Sequence, residues 1–347
     1  MLRGKSGARG GRGRMAKSSN ASPSFFGDEF QSYAAIVLMI KNIEKACKIR
    51  VEGPKQDIEI TLNNGKKIYS QVKSVINSED NSNVLKKLKE ALKTLNDVSS
   101  EPNIESLIYL TNSPNPFDSV RTMYAYSSSI TLLRHEDLDS ICKKKIDGIC
   151  KKNNYNFDKQ LLSICVLQFN GDGENRYRAV KDIIIEFLHK IDVSDKVFGQ
   201  RMLEIWYRDF SINASQRKLS TTVSKKQMIW PLIVLLCEIN RDDSLLNDID
   251  DTEFEEIKNK YGAVISNNTE RFTFITKVIS SYSIYNKPPN SNDKEKSFIE
   301  EYWRNFMNEF DIPTASPKII EYVTKLSIGK VLRNRFKISN MRKAVKL

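Results

Sequence analysis

The sequence predicts an N-terminal α/β core of order αβββαβ followed by an all-α C-terminal module. Three observations carry this expectation. Two runs of alternating polar and apolar residues flank Asn63-Asn64-Gly65, the pattern of a β-hairpin. A helical pattern precedes the pair, and a helix and an uncharged strand follow it. From about Val197 onward the apolar residues recur only at helical spacing.

Asp28 to Lys48 reads as a helix. Tyr33 through Ile40 is apolar almost all round, which suits a buried position. Gly27 with Asp28 supplies a start and a capping charge, and Gln31 falls in the first turn. Ile49 to Glu52 is a short strand that ends at Gly53-Pro54. In the hairpin, Ile58, Ile60 and Leu62 alternate with Asp57, Glu59 and Thr61, while Ile68, Ser70 and Val72 alternate with Tyr69, Gln71 and Lys73. Side chains of an antiparallel pair share a face only if the register parity allows it. A two-residue turn would set Asp57 opposite Val72, on the wrong face. A three-residue loop with Gly65 left-handed sets it level with Gln71 or Lys73, and this odd loop is the expectation.

Asn83 to Val98 is a second helix, with Val84, Leu85, Leu88, Leu92 and Leu95 as its buried stripe and Lys86, Lys87, Lys89 and Lys93 mostly on solvated faces. Ser106 to Leu110 is an uncharged strand suited to a sheet centre. It follows strand and helix, so it is expected to lie parallel to its neighbour. Ser129–Leu133 and Leu162–Phe169 extend the sheet, Asp137–Lys152 is a lysine-rich helix, and Arg176–Ile191 is an amphipathic one. Asn170-Gly171-Asp172-Gly173 is a turn without the GK[ST] of a phosphate-binding loop, so no ATP site is expected.

The later helices are Phe198–Phe210, Lys225–Asn240, Thr252–Lys260, Glu270–Tyr285, Glu295–Phe310 and Pro317–Leu332, with breaks at Lys287-Pro288-Pro289-Asn290 and Ile312-Pro313. Trp206, Trp230 and Trp303 are expected in cores. The acidic stretch Asn240–Glu256 lacks EF-hand spacing and reads as a linker or helix start. Lys330–Lys346 is a basic tail without an acid. The division is a disordered basic tail over 1–22, an α/β domain over 23–195 and a helical module over 196–347.

A chain of 347 residues has room for two cores. Its formal charge is +12, and six basic residues with no acid lie in the first 17 positions. A basic balance favours phosphate partners through counterion release, although a Lys- and Asn-rich composition also accompanies AT-rich genomes. The five cysteines form no CxxC pair, and the two histidines, His135 and His189, lie far apart. The pattern reads as reduced core thiols in a cytoplasmic protein and speaks against zinc. The longest apolar run, around Met228 to Ile239, contains Pro231 and is too short for a membrane span. No apolar secretory segment is expected.

Asp57, Glu59, Gln71 and Lys73 share one face in the odd register. They suit the wet face of an ordinary antiparallel hairpin, but they also suit a hydrolytic metal site. Mg²⁺ takes few protein oxygens and keeps several waters. Asp57 offers a carboxylate oxygen, and Gln71 a neutral carbonyl oxygen. Lys73 returns to the same face, where it can orient water or stabilise charge on a phosphate.

An Asp, a hairpin and then Gln-x-Lys resembles the PD-(D/E)xK nuclease superfamily, with Gln in place of the usual acid. Three blocks, Gly27-Asp28-Glu29-Phe30-Gln31, Val51-Glu52-Gly53 and Gln71-Val72-Lys73-Ser74, resemble the double-stranded-DNA nuclease domain of bacterial anti-phage effectors. That domain occurs in cyclic-oligonucleotide (CBASS-type) and Lamassu-type systems. The resemblance covers roughly residues 25 to 110 well, and more loosely the chain to about 210. It implies a restriction-endonuclease-like core over 23–195. It implies catalytic positions Asp57, Gln71 and Lys73 with Gln31 and Glu59 in support, and a Mg²⁺ or Mn²⁺ ion on Asp57 and Gln71 with help from Glu52. Many relatives carry an acid before the Asp, where this chain has Gln56. The implied partners are double-stranded DNA and, in the Lamassu case, an SMC-like ATPase with an accessory subunit. Activation by oligomerisation, activation by a cyclic oligonucleotide, and a non-catalytic adaptor are the alternatives.

Overall fold

The computed structural model describes residues 22–78, 80–191, 193, 196–236, 252, 255, 257, 259, 261, 272–286, 293–310, 312 and 315–347. The basic tail over 1–21, most of the acidic stretch, Cys237 and the break at 287–290 lie outside them.

The chain builds a seven-stranded mixed sheet with helices on both faces, followed by a helical region. The elements are α1 (Ser22–Lys41), β1 (Ala46–Val51), β2 (Ile58–Leu62), β3 (Lys67–Lys73), α2 (Val84–Val98), β4 (Ile104–Thr111), α3 (Val120–Met123), β5 (Ile130–Arg134), α4 (Ser140–Asn153), β6 (Leu162–Leu167), α5 (Glu174–Lys190), α6 (Lys196–Ser215), β7 (Val223–Ser224), α7 (Lys225–Leu236), α8 (Phe272–Ile284), α9 (Lys294–Tyr302) and α10 (Pro317–Val345). Strand order is β5-β6-β4-β3-β2-β1-β7. β3, β4 and β6 run parallel, and the other pairs are antiparallel.

Alternation along the strands separates two cores. Ile49, Val51, Ile58, Ile60, Ile68, Val72, Ile108 and Leu110 face α1, α5 and α6. Tyr69, Leu107, Tyr109, Ile164 and Val166 face α2 and α4, meeting Leu88, Leu92, Leu95, Cys142 and Ile146. The hydrophobic stripe of α2 is the one its sequence spacing predicts. α1 is buried almost throughout from Phe30 to Ile40, as its all-round apolar sequence requires.

Four departures have local causes. α1 stops at Lys41 rather than Lys48, because Asn42 turns its Nδ2 back onto Leu38 O at 2.8 Å and frees Ala46 to pair with Leu62. Cys47 is consequently exposed on β1 rather than in a core, while Cys142, Cys150 and Cys165 are buried. The expected helix Glu295–Phe310 is α-helical only to Tyr302 and continues as two 3₁₀ turns. The basic tail is the second half of α10, held by buried Ile338, Met341 and Val345. Trp206 and Trp303 are core residues as expected.

The boundary at 195 is not a break in packing. β7, from the segment assigned to the helical module, joins the sheet at β1. The core around α1 runs without interruption through α6 and α7 to α10. Buried Arg50 of β1 crosses this junction. Its guanidinium donates to the carbonyls of Asn213 and Gln216 at the end of α6, of Thr221, and of Glu52. The charge sits where the α6 dipole is negative. Asn213 adds to the joint, accepting from Val51 N and donating to Thr221 O.

Replacing Arg50 by Met removes the donor to four carbonyls, of which that of Asn213 is buried, and cuts the tie between β1 and the end of α6. Arg50→Met is expected to lower stability by about 3 kcal/mol, measured by urea denaturation. A change below about 0.5 kcal/mol, typical of an exposed surface site, would remove Arg50 as the tie between sheet and helices.

Candidate functional site

The turn of the hairpin decides what meets. Thr61 pairs with Lys67, Leu62 N donates to Lys66 O, and Asn63, Asn64 and Gly65 form a three-residue loop. Gly65 is left-handed, with φ +81°, a conformation glycine adopts without a Cβ penalty. With Ile58 opposite Ser70, the register carries Asp57 level with Gln71. Both lie on the α2 face, together with Glu59, Tyr69 and Lys73.

Asp57 sits just ahead of β2 and is half-buried. Its Oδ2 accepts from Val72 N at 2.8 Å and from Gln71 Nε2. Its backbone carbonyl accepts from Gln31 Nε2 at 3.0 Å and from Glu52 N at 2.7 Å. Gly27, one turn before Gln31 on α1, lies beside Ser74: a Cβ there would be in ordinary contact with Ser74 Oγ, at 3.7 Å. The three sequence blocks therefore converge on Asp57. Burial raises the Asp57 pKa. The Val72 amide and then Lys73 oppose that shift, the Glu52 carboxylate adds to it, and Gln71 opposes it last. Lys73 is half-buried and, among the described residues, has no ion-pair partner.

The expected residues do not all reach the same point. Asp57, Gln71 and Lys73 are together, with Glu52 exposed beside them on a left-handed backbone at φ +52°. Gln31 is buried and spends its amide on the Asp57 main chain, so it holds the start of β2 in place. Glu59 is elsewhere. Its Oε1 accepts from Lys55 N at 2.9 Å and Gln56 N at 3.3 Å, which organises the β1–β2 loop. Gly53 is needed for that, because a Cβ there would lie 2.6 Å from Glu59 Oε1. Gln56 is buried, and its Nε2 donates to Thr94 O at 2.7 Å. The position that lacks an acid is thus engaged with α2.

Two residues of α2 belong to the site: Thr94, which the sequence did not single out, and Lys87, whose lysine run reads in sequence as a solvated face or a set of DNA-phosphate contacts. Thr94 Oγ1 donates to Gln71 Oε1 at 2.8 Å. Lys87 is half-buried, and its Nζ donates to Ser74 O at 2.6 Å. Burial lowers its pKa, Glu90 works against that, and the neighbouring Lys73 reinforces it. Lys87 and Thr94 are seven positions apart, on one stripe of the helix. A cavity of about 410 Å³ between α1, the end of β1 and α6 is lined by Gln31 and Glu52 among others, but not by Asp57, Gln71, Lys73 or the α2 residues.

The donor set fits a hard divalent cation in part. Asp57 and Glu52 offer carboxylate oxygens near one another, as such a cation needs. Gln71 presents its nitrogen to Asp57, and a nitrogen donor cannot ligate. Among the described residues, no three of His, Cys, Asp and Glu come together as a metal cluster. No helix among the described residues is long and apolar enough to cross a membrane. No family model, curated protein or solved structure matches the chain.

The raised Asp57 pKa has a sign for stability. A carboxyl whose folded pKa lies above its unfolded value contributes stability below the unfolded pKa and loses it as pH rises through the folded one. Asn at this position still accepts from Val72 and Gln71 but carries no charge. Asp57→Asn is therefore expected to gain stability relative to wild type between pH 4 and pH 7 in urea denaturation. A relative loss over that interval would mean that Asp57 is stabilised as the anion.

Proposed function

We propose that this chain is a metal-dependent DNA endonuclease, the effector subunit of a bacterial anti-phage system. The observation that carries the reading is a half-buried Asp57 and, on the same face of the hairpin, a Lys73 with no ion-pair partner among the described residues, with Lys87 beside them. The element order α1-β1-β2-β3-α2-β4 supports a restriction-endonuclease-like core, and the three blocks around Asp57 support the anti-phage family. Bound Mg²⁺ or Mn²⁺ supplies Lewis-acid charge at the scissile phosphate. Asp57 and Glu52 would hold the cation, and Lys73 would stabilise charge on the phosphate or orient the attacking water. Gln31 fixes the Asp57 main chain, and Glu59 shapes the adjoining loop. No residue of the site reads base edges, so cleavage follows phosphate contacts with little sequence preference.

Unrestrained cleavage would destroy host DNA. The helical region therefore serves restraint, through oligomer control or docking on an SMC-like ATPase and its accessory subunit. Among its described residues this helical region carries no α/β ligand-sensor pattern, which favours this over a cyclic-oligonucleotide trigger. Tight binding of a cyclic oligonucleotide by the purified chain would reverse that preference. A second reading is a non-catalytic DNA-binding adaptor, favoured by the Gln71 amide lying against Asp57.

Supercoiled-plasmid nicking in Mg²⁺ or Mn²⁺, at high protein concentration, separates the two. Lys73→Ala and Asp57→Ala are each expected to lose about 100-fold or more, and Glu59→Ala far less. Activity equal to wild type in Lys73→Ala, or no wild-type nicking with the partner complex present, selects the adaptor.

Lys87 adds a binding prediction. With Ca²⁺ replacing Mg²⁺, Lys87→Ala is expected to weaken duplex binding uniformly across sequences and to reduce the salt slope by about 1. Lys93→Ala, exposed on the same helix, serves as the control. An unchanged slope would leave Lys87 as only a staple to Ser74.

A further inference from the structure

Gln71 meets Asp57 with the wrong end for a cation ligand. Its Nε2 donates to Asp57 Oδ2, and its Oε1 accepts from Thr94 Oγ1 at 2.8 Å. Oxygens of both residues can face one cation only after the carboxamide turns over. Thr94 is built to accept that turn. A hydroxyl has one proton to give and two lone pairs to receive, and Ala91 O lies 3.0 Å from Thr94 Oγ1 with Glu90 O at 3.4 Å. When Thr94 gives its proton to Ala91 O, the same oxygen can accept from Gln71 Nε2.

We propose that Thr94 is a positioning residue for a two-position Gln71 carboxamide, which rests with its nitrogen on Asp57 and inverts when a divalent cation binds. The inference rests on the nuclease reading of the site. The hydrogen-bond tally is conserved. At rest, Gln71 donates to Asp57 and accepts from Thr94. Inverted, it donates to Thr94, Thr94 donates to Ala91 O, and the freed Gln71 oxygen is available to the cation. Gln71 is buried, so bulk water does not supply the missing partner in either state. An amide also explains why a glutamate is not needed for a closed resting site. Two carboxylates in contact would repel without a cation, whereas an amide satisfies Asp57 until a cation displaces it.

The test follows the Gln71 side-chain amide by ¹⁵N–¹H NMR during Mg²⁺ titration of the full chain, assigned by its loss in Gln71→Met. Calorimetry and the Asp57 carboxyl ¹³C shift report cation binding independently. The expected result is a Gln71 amide shift that tracks the Asp57 shift. A buried orphan N–H is tolerated less well than an orphan carbonyl. Thr94→Val is therefore expected to weaken Mg²⁺ binding about tenfold, and Thr94→Ser to restore it. Mg²⁺ binding at Asp57 with an unmoved Gln71 amide overturns the inference and leaves the nuclease reading standing. Absence of any Mg²⁺ or Mn²⁺ binding overturns the nuclease reading itself.

Discussion

The Asp57 carboxylate, bonded to the Val72 amide and the Gln71 side chain across the hairpin, is the contact on which the rest of the site depends. It exists because the loop Asn63–Gly65 has an odd length. A slip of one residue would exchange the two faces of β3. It would bury Gln71 and Lys73 against α1 and turn Ile68 and Val72 toward α2. The apolar halves of the same strands forbid that slip, because Ile58, Ile60, Ile68 and Val72 already fill the α1 core. The residues that stabilise the sheet are therefore also those that place the polar cluster.

The cluster is closed from three directions. α1 contributes Gln31 to the Asp57 main chain, and the β1–β2 loop contributes the Glu52 amide. α2 lies along β3 and contributes Thr94 and Lys87. The parallel crossover from β3 through α2 to β4 is what sets that helix over the polar face. Arg50 lies two residues before Glu52 and is bonded to the end of α6. The strand that leads into Glu52 is thus tied directly to the helical region. In the proposed reading, this joint would be the physical route by which a partner on the helices restrains the site.

Much of this was legible in the residues. Period-two alternation and the Asn-Asn-Gly cluster specified the hairpin and its parity, and the spacing of Leu88, Leu92 and Leu95 specified the buried stripe of α2. Other features were hidden for particular reasons. Ile43 continues the apolar pattern of α1 past Lys41, while the stop lies in a side-chain cap at Asn42 that spacing does not reveal. β7 is two residues long and carries no periodicity. Ile338, Met341 and Val345 prolong α10 through a segment whose basic composition masks its stripe. Lys87 and Thr94 looked like solvated helix positions because their meaning comes from a strand that packs beside them. Glu59 shares a strand face with Asp57, yet the bend at Gly53 draws its carboxylate into backbone bonds. Face-sharing identifies candidates, and loop geometry decides among them.

One half-buried carboxylate and one neutral amide would make a weaker trap for a cation than a pair of acids, and in the proposed reading that weakness has a use. A site with two facing carboxylates is destabilised when empty, because like charges at hydrogen-bond distance disfavour joint ionisation. The protein would then hold a cation or a shared proton at all times. Gln71 removes that demand, since its amide neutralises the need of Asp57 for a partner while Lys73 stays unpaired nearby. The hydrogen bonds of Asp57 and Gln71 are therefore satisfied within the protein, and among the described residues Lys73 has no ion-pair partner. Under the proposed nuclease reading, such a balance would suit an enzyme that stays idle beside DNA and acts only when binding energy from substrate or partner tips the amide away from Asp57.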